Sequence, residues 1–311
     1  MKLYFAPMEG ITLSVFRNMF ETWFPGTDVY FSPFLAANQT LHFKNKEIRD
    51  ILPENNRGIC LVPQLLTNRA DQFAWGIREL ETYGYREINL NLGCSMPQVA
   101  KRGKGAGFLE DPEALDRFFD EAFELIRGED VNVSVKMRIG TKDPGEISDL
   151  TAVMNRYPFS EVIVHPRLMT ELYSGAPHMD AFRYVYDTCV HPVSYNGDVY
   201  TAGDYERICG EFPKLRAVMI GRGFLRNPGL MRQIRKTGEG EASLSYIKEY
   251  HDALFDAYCD LYQDQRQAVT KMKELWYYMR HLFEDREREM KDIKKAASPA
   301  QYREAARRMF A

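Results

Sequence analysis

The chain predicts an α/β fold: a closed (β/α)8 TIM barrel followed by a small C-terminal all-helical domain. Short apolar runs recur along its first three quarters, each followed by turn residues and then by apolar positions three and four apart. That alternation builds a parallel sheet. Eight such strands in about 235 residues match a closed barrel. A doubly wound open sheet is weakened because no GxGxxG follows the first strand. After the glycine-containing stretch 236–241 the strand-like runs stop, and Pro299 is the sole proline beyond 244.

The elements follow in order. Strands are expected at 2–6, 28–32, 59–65, 86–91, 131–137, 161–165, 192–195 and 217–220. Runs 131–137, 161–165 and 217–221 are rich in β-branched residues, which suit a pleated, buried surface. Between them, 112–126 shows helical spacing. Amphipathic helices are expected at 246–262, 265–283 and 299–310. The resulting division is a catalytic barrel over 1–238 and a helical domain over 243–311.

Composition narrows the function. Of 311 residues, 45% are hydrophobic and 27% charged, ordinary values for a chain with a sizeable core. The formal net charge of −3 gives no global signature of a polyanion binder, so such a site has to be a local patch. One candidate is the tail. From Arg266 onward, 12 Lys/Arg stand against 7 Asp/Glu, a surplus of five. A solvated helix face would explain a lone charged helix, but in an appended helical domain the surplus favours an anionic partner. Five cysteines form no CxxC spacing. No disulfide framework or metal site is expected, and a reducing cytoplasm fits. No apolar run approaches the roughly 20 residues of a bilayer span, so no membrane partner is expected.

Polar residues collect at the strand ends, where barrels of this kind keep their chemistry. Strand one leads into Pro7, Met8 and Glu9. Strand three ends near Gln64, strand four at Asn91 and Cys94, and strand five at Lys136 and Arg138. Strand six ends in His165 and Arg167, strand seven in Asn196-Gly197-Asp198, and strand eight in Gly221-Arg222-Gly223. Packing gives a buried strand no reason to end in Lys, His or Gln. The last two turns follow strands seven and eight, the usual phosphate position, where glycines let backbone N–H groups approach and Arg222 adds charge. Either turn alone would be no more than a tight turn. Lys136 suits a ring that carries negative charge, Gln64 its polar edge, and Met8 a packing surface beneath it. His165 on its own would pass as a core histidine. Cys94, between Gly93 and Ser95 in a polar loop, differs from Cys60, Cys189, Cys209 and Cys259, which read as small hydrophobes. Lys101, Arg102 and Lys104 follow it in a glycine-containing loop.

Taken together these residues resemble the tRNA-dihydrouridine synthases, over nearly the whole chain. The likeness rests on Ala6-Pro7-Met8-Glu9-Gly10-Ile11-Thr12 with Phe16-Arg17, on Pro63-Gln64, and on Asn91-Leu92-Gly93-Cys94 with 101–107. It continues through Val135-Lys136-Met137-Arg138, Val164-His165-Pro166-Arg167 with Tyr173, Asn196-Gly197-Asp198 and 218–228. The resemblance implies an FMN enzyme that reduces the C5=C6 bond of uridines in tRNA, with NADPH as electron donor and Cys94 as general acid. It places FMN on Pro7, Met8, Glu9, Gln64, Lys136, His165, Asn196, Gly197, Asp198, Gly221 and Arg222. It turns Asn91, Arg138, Arg167 and Tyr173 toward the substrate, with Lys101 and Arg102 near its phosphates and the loop at 100–107 closing on glycine hinges. A monomer is expected. The chain departs from the family pattern at Ser95, where proline is usual, at Leu13, where aspartate is common, and at Pro166, where a small residue is usual.

Three other readings share parts of this pattern. A small-molecule FMN oxidoreductase of the dihydroorotate dehydrogenase or enoate reductase type uses the same barrel but needs neither helical tail nor basic loop. An RNA-binding protein with a relict flavin site would not need Cys94 and Lys136. A flavin-free sugar-phosphate barrel enzyme would share only the phosphate turns.

Overall fold

The computed structural model describes residues 1–37, 39–237 and 242–311. Its strands are β1 (Lys2–Phe5), β2 (Val29–Leu35), β3 (Leu61–Leu65), β4 (Glu87–Leu92), β5 (Asn132–Arg138), β6 (Glu161–His165), β7 (Val193–Asn196) and β8 (Ala217–Ile220). Each pairs in parallel with its neighbour in sequence, and β1 closes the barrel against β8 with Phe5 opposite Ile220. All eight expected strands are present. The largest difference is β2, expected to stop before Pro33. It runs through the proline, and its register to β3 slips between Phe31 and Phe34. A residue without an N–H is tolerated at such an irregularity, which turns Pro33 and Phe34 to the barrel mouth.

Two apolar layers hold the barrel. Side chains including Tyr4, Phe31, Val62, Ile163 and Met219 form one cluster. A larger cluster lies between the strands and the outer helices, and there Phe5, Phe16, Phe20 and Phe224 meet at ring separations of 4.9–5.9 Å. Glu161, at the start of β6, is buried and satisfied by Ser194, by Tyr4 at 3.2 Å and by Arg216 at 3.5 Å. A buried carboxylate without such partners would be costly.

The tail is helical, as expected, with helices at Leu244–Leu261, Arg266–Met279, Glu287–Lys295 and Pro299–Met309. The third was not expected. Its sequence is strongly polar, and only Met290 and Ile293 are buried, too few to announce a helical period. Ser243 and Ser298 cap the first and last of these helices, accepting from Tyr246 N and Gln301 N. Inside the bundle the Tyr302 hydroxyl meets His251 Nε2 at 2.6 Å and Trp276 Nε1 at 2.7 Å. Tyr250 of the first tail helix enters an aromatic cluster with Phe20, Trp23 and Phe24 of the barrel helix Ser14–Trp23 and its end. Lys271 of the second donates to the Gly10 carbonyl in the loop after β1, at 2.8 Å. Residues 238–241 of the expected linker, including the boundary at 238, lie outside the described residues.

Candidate active site

The C-terminal strand ends surround a cavity of about 440 Å³, within the range of small-molecule sites. Its lining includes Pro7, Met8, Glu9, Gln64, Asn91, Cys94, Lys136, Arg138, His165, Tyr173, Asn196, Gly197, Gly221 and Arg222. All of these were expected from the sequence. Asp198, Arg167, Lys101 and Arg102 do not line it.

A chain of hydrogen bonds fixes the polar floor. Asn89 Nδ2 donates to Ser134 Oγ at 2.8 Å, Gln64 Nε2 to Asn89 Oδ1 at 2.7 Å, and Asn91 Nδ2 to Gln64 Oε1 at 2.6 Å. Asn91 Oδ1 then accepts from the backbone N–H groups of Gly93 and Cys94, at 3.0 and 2.8 Å. Asn91 therefore sets the turn that presents the thiol. Burial pushes the Cys94 thiol above its ordinary value, with Glu9 adding to the effect. Near neutral pH the group is a thiol rather than a thiolate.

The loop after Cys94 is packed shut. Gly105, at φ +58°, lies so close that a Cβ there would fall 2.6 Å from the Cys94 carbonyl oxygen. Ala106 N donates to that oxygen at 2.9 Å. A Cβ on Gly107 would fall 2.3 Å from the Ala100 carbonyl oxygen. These glycines permit close contact within the loop and with the Cys94 turn. Lys101 and Arg102 are exposed on the turn that follows the short helix Pro97–Ala100.

Two departures from the family pattern are compensated locally. Ser95 Oγ, in place of the usual proline, accepts from Arg138 at 3.3 Å. Arg138 also donates to the carbonyls of Gly93, Leu168 and Leu172, tying the Cys94 loop to the loop after β6. Leu13 cannot cap the helix Ser14–Trp23, and Asp50 Oδ1 accepts from Ser14 N at 2.6 Å instead. Nothing in the structure explains Pro166.

Charge concentrates on one wall. Enclosure and the nearby Arg138 pull the Lys136 ammonium down to about 7. Desolvation, followed by Arg138 and Lys136, holds His165 well below its usual range, so the imidazole is neutral. The side chains of Lys136 and His165 make no hydrogen bond to another described residue. Arg167 is fully buried. It pairs with Asp198 at 2.7 Å and donates to the carbonyls of Ser174 and Gly175. Expected at the substrate, it instead ties the loop after β7 to its own loop, which carries Tyr173, with all three guanidinium nitrogens engaged by those partners. Asp198 likewise faces inward, holding Arg167 and Arg222. Arg222 lies 4.5 Å from the centroid of the Tyr173 ring, with Arg138 at 5.7 Å, so the exposed tyrosine is oriented by two cations.

Sequence reasoning missed four wall residues of note: Pro33, Phe34, Leu172 and Tyr278. A proline inside a strand run was a usable signal for the first two. Tyr278 comes from the tail helix Arg266–Met279, and only docking brings it to the barrel mouth.

The unpartnered lysine and imidazole, the carboxamide of Gln64 and the thioether of Met8 fit a flat ring with a polar, electron-rich edge. Gly221 extends that fit toward a phosphate, since a Cβ there would lie 3.1 Å from Ala6 Cβ and 3.3 Å from Met8 Sδ. The backbone beside Arg222 is thus bare and close to the β1 loop.

A family model described as dihydrouridine synthase (Dus) matches residues 4–311. The tRNA-dihydrouridine(16) synthase of Neisseria meningitidis serogroup B is 30% identical over 247 residues, spanning 77% of this chain and 72% of that protein. That of Neisseria meningitidis serogroup A is 26% identical over 306 residues, covering 94% and 91%. That of Cupriavidus necator is 28% identical over 291 residues, covering 88% and 89%. Among solved structures, morphinone reductase shares the fold at a TM-score of 0.55 and 12% identity, across 79% of this chain and 88% of that one. With its motifs in order along a closed barrel and the match spanning tail as well as barrel, the chain is an oxidoreductase and belongs to the dihydrouridine synthase family.

Proposed function

We propose that this protein reduces specific uridines of tRNA to 5,6-dihydrouridine, drawing electrons from NADPH through FMN, in the cytoplasm. One observation carries the reading: a thiol kept protonated by burial lines the same cavity as an unpartnered lysine and an unpartnered imidazole. The residues lining this cavity would hold FMN, which would supply the hydride that goes to C6 of the uracil. Cys94 delivers the proton to C5 from its thiol, and one hydride plus one proton saturate the double bond. A thiol whose value lies above neutrality is a competent donor at physiological pH. Asn91 holds the turn carrying that thiol, and Arg138 locks the loop beyond it.

Lys136 and His165 would face the flavin ring, Gln64 and Asn196 its polar edge, and Pro7, Met8 and Glu9 its surface. Gly197, Gly221 and Arg222 would take the phosphate, with Asp198 orienting Arg222. Tyr173 would meet the base or its ribose. An extruded uracil costs a few kcal/mol of stacking. Lys101, Arg102 and the basic tail would offset that through phosphate contacts. The names and activities of the bacterial relatives support tRNA as substrate, whereas a small-molecule flavin reductase finds support only in the shared barrel.

The test is direct. Purified protein should be yellow, release FMN on denaturation, and with NADPH add two hydrogens to uridines of unmodified tRNA, seen by mass spectrometry of nucleoside digests. A colourless protein that leaves tRNA unchanged after FMN is supplied would overturn the proposal.

A further inference from the structure

A second cavity, of about 450 Å³, opens in the helical tail. Phe283, Met290 and Met309 give it apolar lining, while Arg280, Arg286, Lys291 and Lys294 stand around it. Asp285 and Glu287 share its wall, so four cations face two carboxylates. Among the described residues no carboxylate lies within ion-pair distance of Arg280, Lys291 or Lys294, and Arg286 reaches Glu289 only at 3.9 Å. Most other arginines of the tail are paired, including Arg303, Arg307 and Arg308. The cleft therefore holds an excess of cations over carboxylates that close ion pairs do not neutralise.

The cleft adjoins the candidate active site. Tyr278 lines the first cavity, and Arg280 and His281, at the end of the same helix, line the second. The helix Arg222–Arg226 packs against this segment. Arg226 lies 4.2 Å from the centroid of the Tyr200 ring, and its buried Nε has no hydrogen-bond partner. Burial, with Arg226 and Arg280, holds His281 below its usual range, so this imidazole adds no positive charge at neutral pH.

We propose that this cleft receives a second nucleotide of the same RNA strand, adjacent to the extruded uridine. Its base lies on Phe283, Met290 and Met309, and its phosphates meet Arg280, Lys291 and Lys294. The inference rests on the proposed function. An apolar floor with a cationic rim matches an unstacked base and its phosphodiesters, and extruding one uridine already breaks the stack beside it. A small inorganic anion would leave the floor unused.

The experiment uses full-length, FMN-loaded protein and tRNA carrying a single 4-thiouridine at positions flanking the reduced uridine. Irradiation should crosslink one flanking position to residues 280–294. The double variant K291E/K294E should weaken tRNA binding about tenfold at 0.1 M salt and lower the salt-dependence slope by about 2, as for two lost phosphate contacts; its flavin spectrum monitors folding. Unchanged affinity in that variant overturns the proposal. So does weakened affinity with no flanking crosslink, which would leave a charged surface without a base site. Dihydrouridine formation by the unaltered protein, measured on the same tRNA, separates failure of this subsite from failure of the activity beneath it.

Discussion

Cys94 shows how much local chemistry depends on neighbours. A free thiol titrates near 8.5, and here burial moves it upward, which favours proton donation over nucleophilic attack. Cys94→Ala should keep FMN and its oxidation of NADPH while dihydrouridine formation falls on the order of 100-fold or more, the usual size of a lost general acid. Single-turnover assays on tRNA check this, and full turnover would remove the thiol from the chemistry. Lys136 gives a pH prediction. Its unfolded value is about 10.4 and its folded value about 7, so the unfolded chain binds more protons between those limits. The penalty to the flavin-free protein is fully present below about pH 7 and fades as pH rises toward 10. Lys136→Met should therefore raise the flavin-free melting temperature at pH 7 by more than about 2 °C, the shift that roughly 1 kcal/mol gives a domain of this size. It should also flatten the pH dependence across that window and weaken FMN binding. Thermal scans from pH 6 to 10 decide it, and an unchanged curve would mean the amine is not desolvated.

At the scale of elements, strand ends carry Gln64, Asn91, Lys136, His165 and Asn196, while a loop sets the thiol. Gly105 is the tightest case, because its left-handed backbone and its approach to the Cys94 carbonyl both exclude a side chain. Gly105→Ala costs roughly 1–2 kcal/mol from the backbone alone and pushes the Cys94 turn aside. FMN content should hold while tRNA turnover drops about 100-fold, the order of effect expected from misplacing a reacting group by an ångström. Wild-type turnover in that variant would show that the contact does not set the thiol. The strands themselves were readable: β5, β6 and β8 are β-branched runs of the right length, and only β2 was cut short by more than one residue, at Pro33. The helix Glu287–Lys295 was not readable, since its burial depends on Met290 and Ile293 finding a bundle already formed.

For the whole molecule, the tail is part of the enzyme's structure as well as its surface. Tyr250 packs on Phe20, Trp23 and Phe24, Lys271 reaches Gly10, and Tyr278 closes the cavity wall. Removing residues 243–311 should expose that aromatic patch, and such patches drive association. We expect the truncated chain to aggregate or lose FMN, where an independent barrel would remain soluble and yellow. Size-exclusion chromatography with flavin absorbance distinguishes the two.

The sequence by itself determined the barrel, its strand order and most of the cavity lining, because hydrophobic period and the polar residues at strand ends are local features of the chain. It also marked Cys94 as unlike the other cysteines. Tertiary structure alone decided which polar groups are free to act. Arg167 and Asp198 were expected to face ligands, yet they pair with each other, with Arg222 and with the carbonyls of Ser174 and Gly175, whereas the side chains of Lys136 and His165 make no hydrogen bond to another described residue. Tyr278 and the cleft around Arg280 entered only when the tail docked. Hydrogen-bond saturation and enclosure depend on residues far apart in the chain, and no local pattern records them.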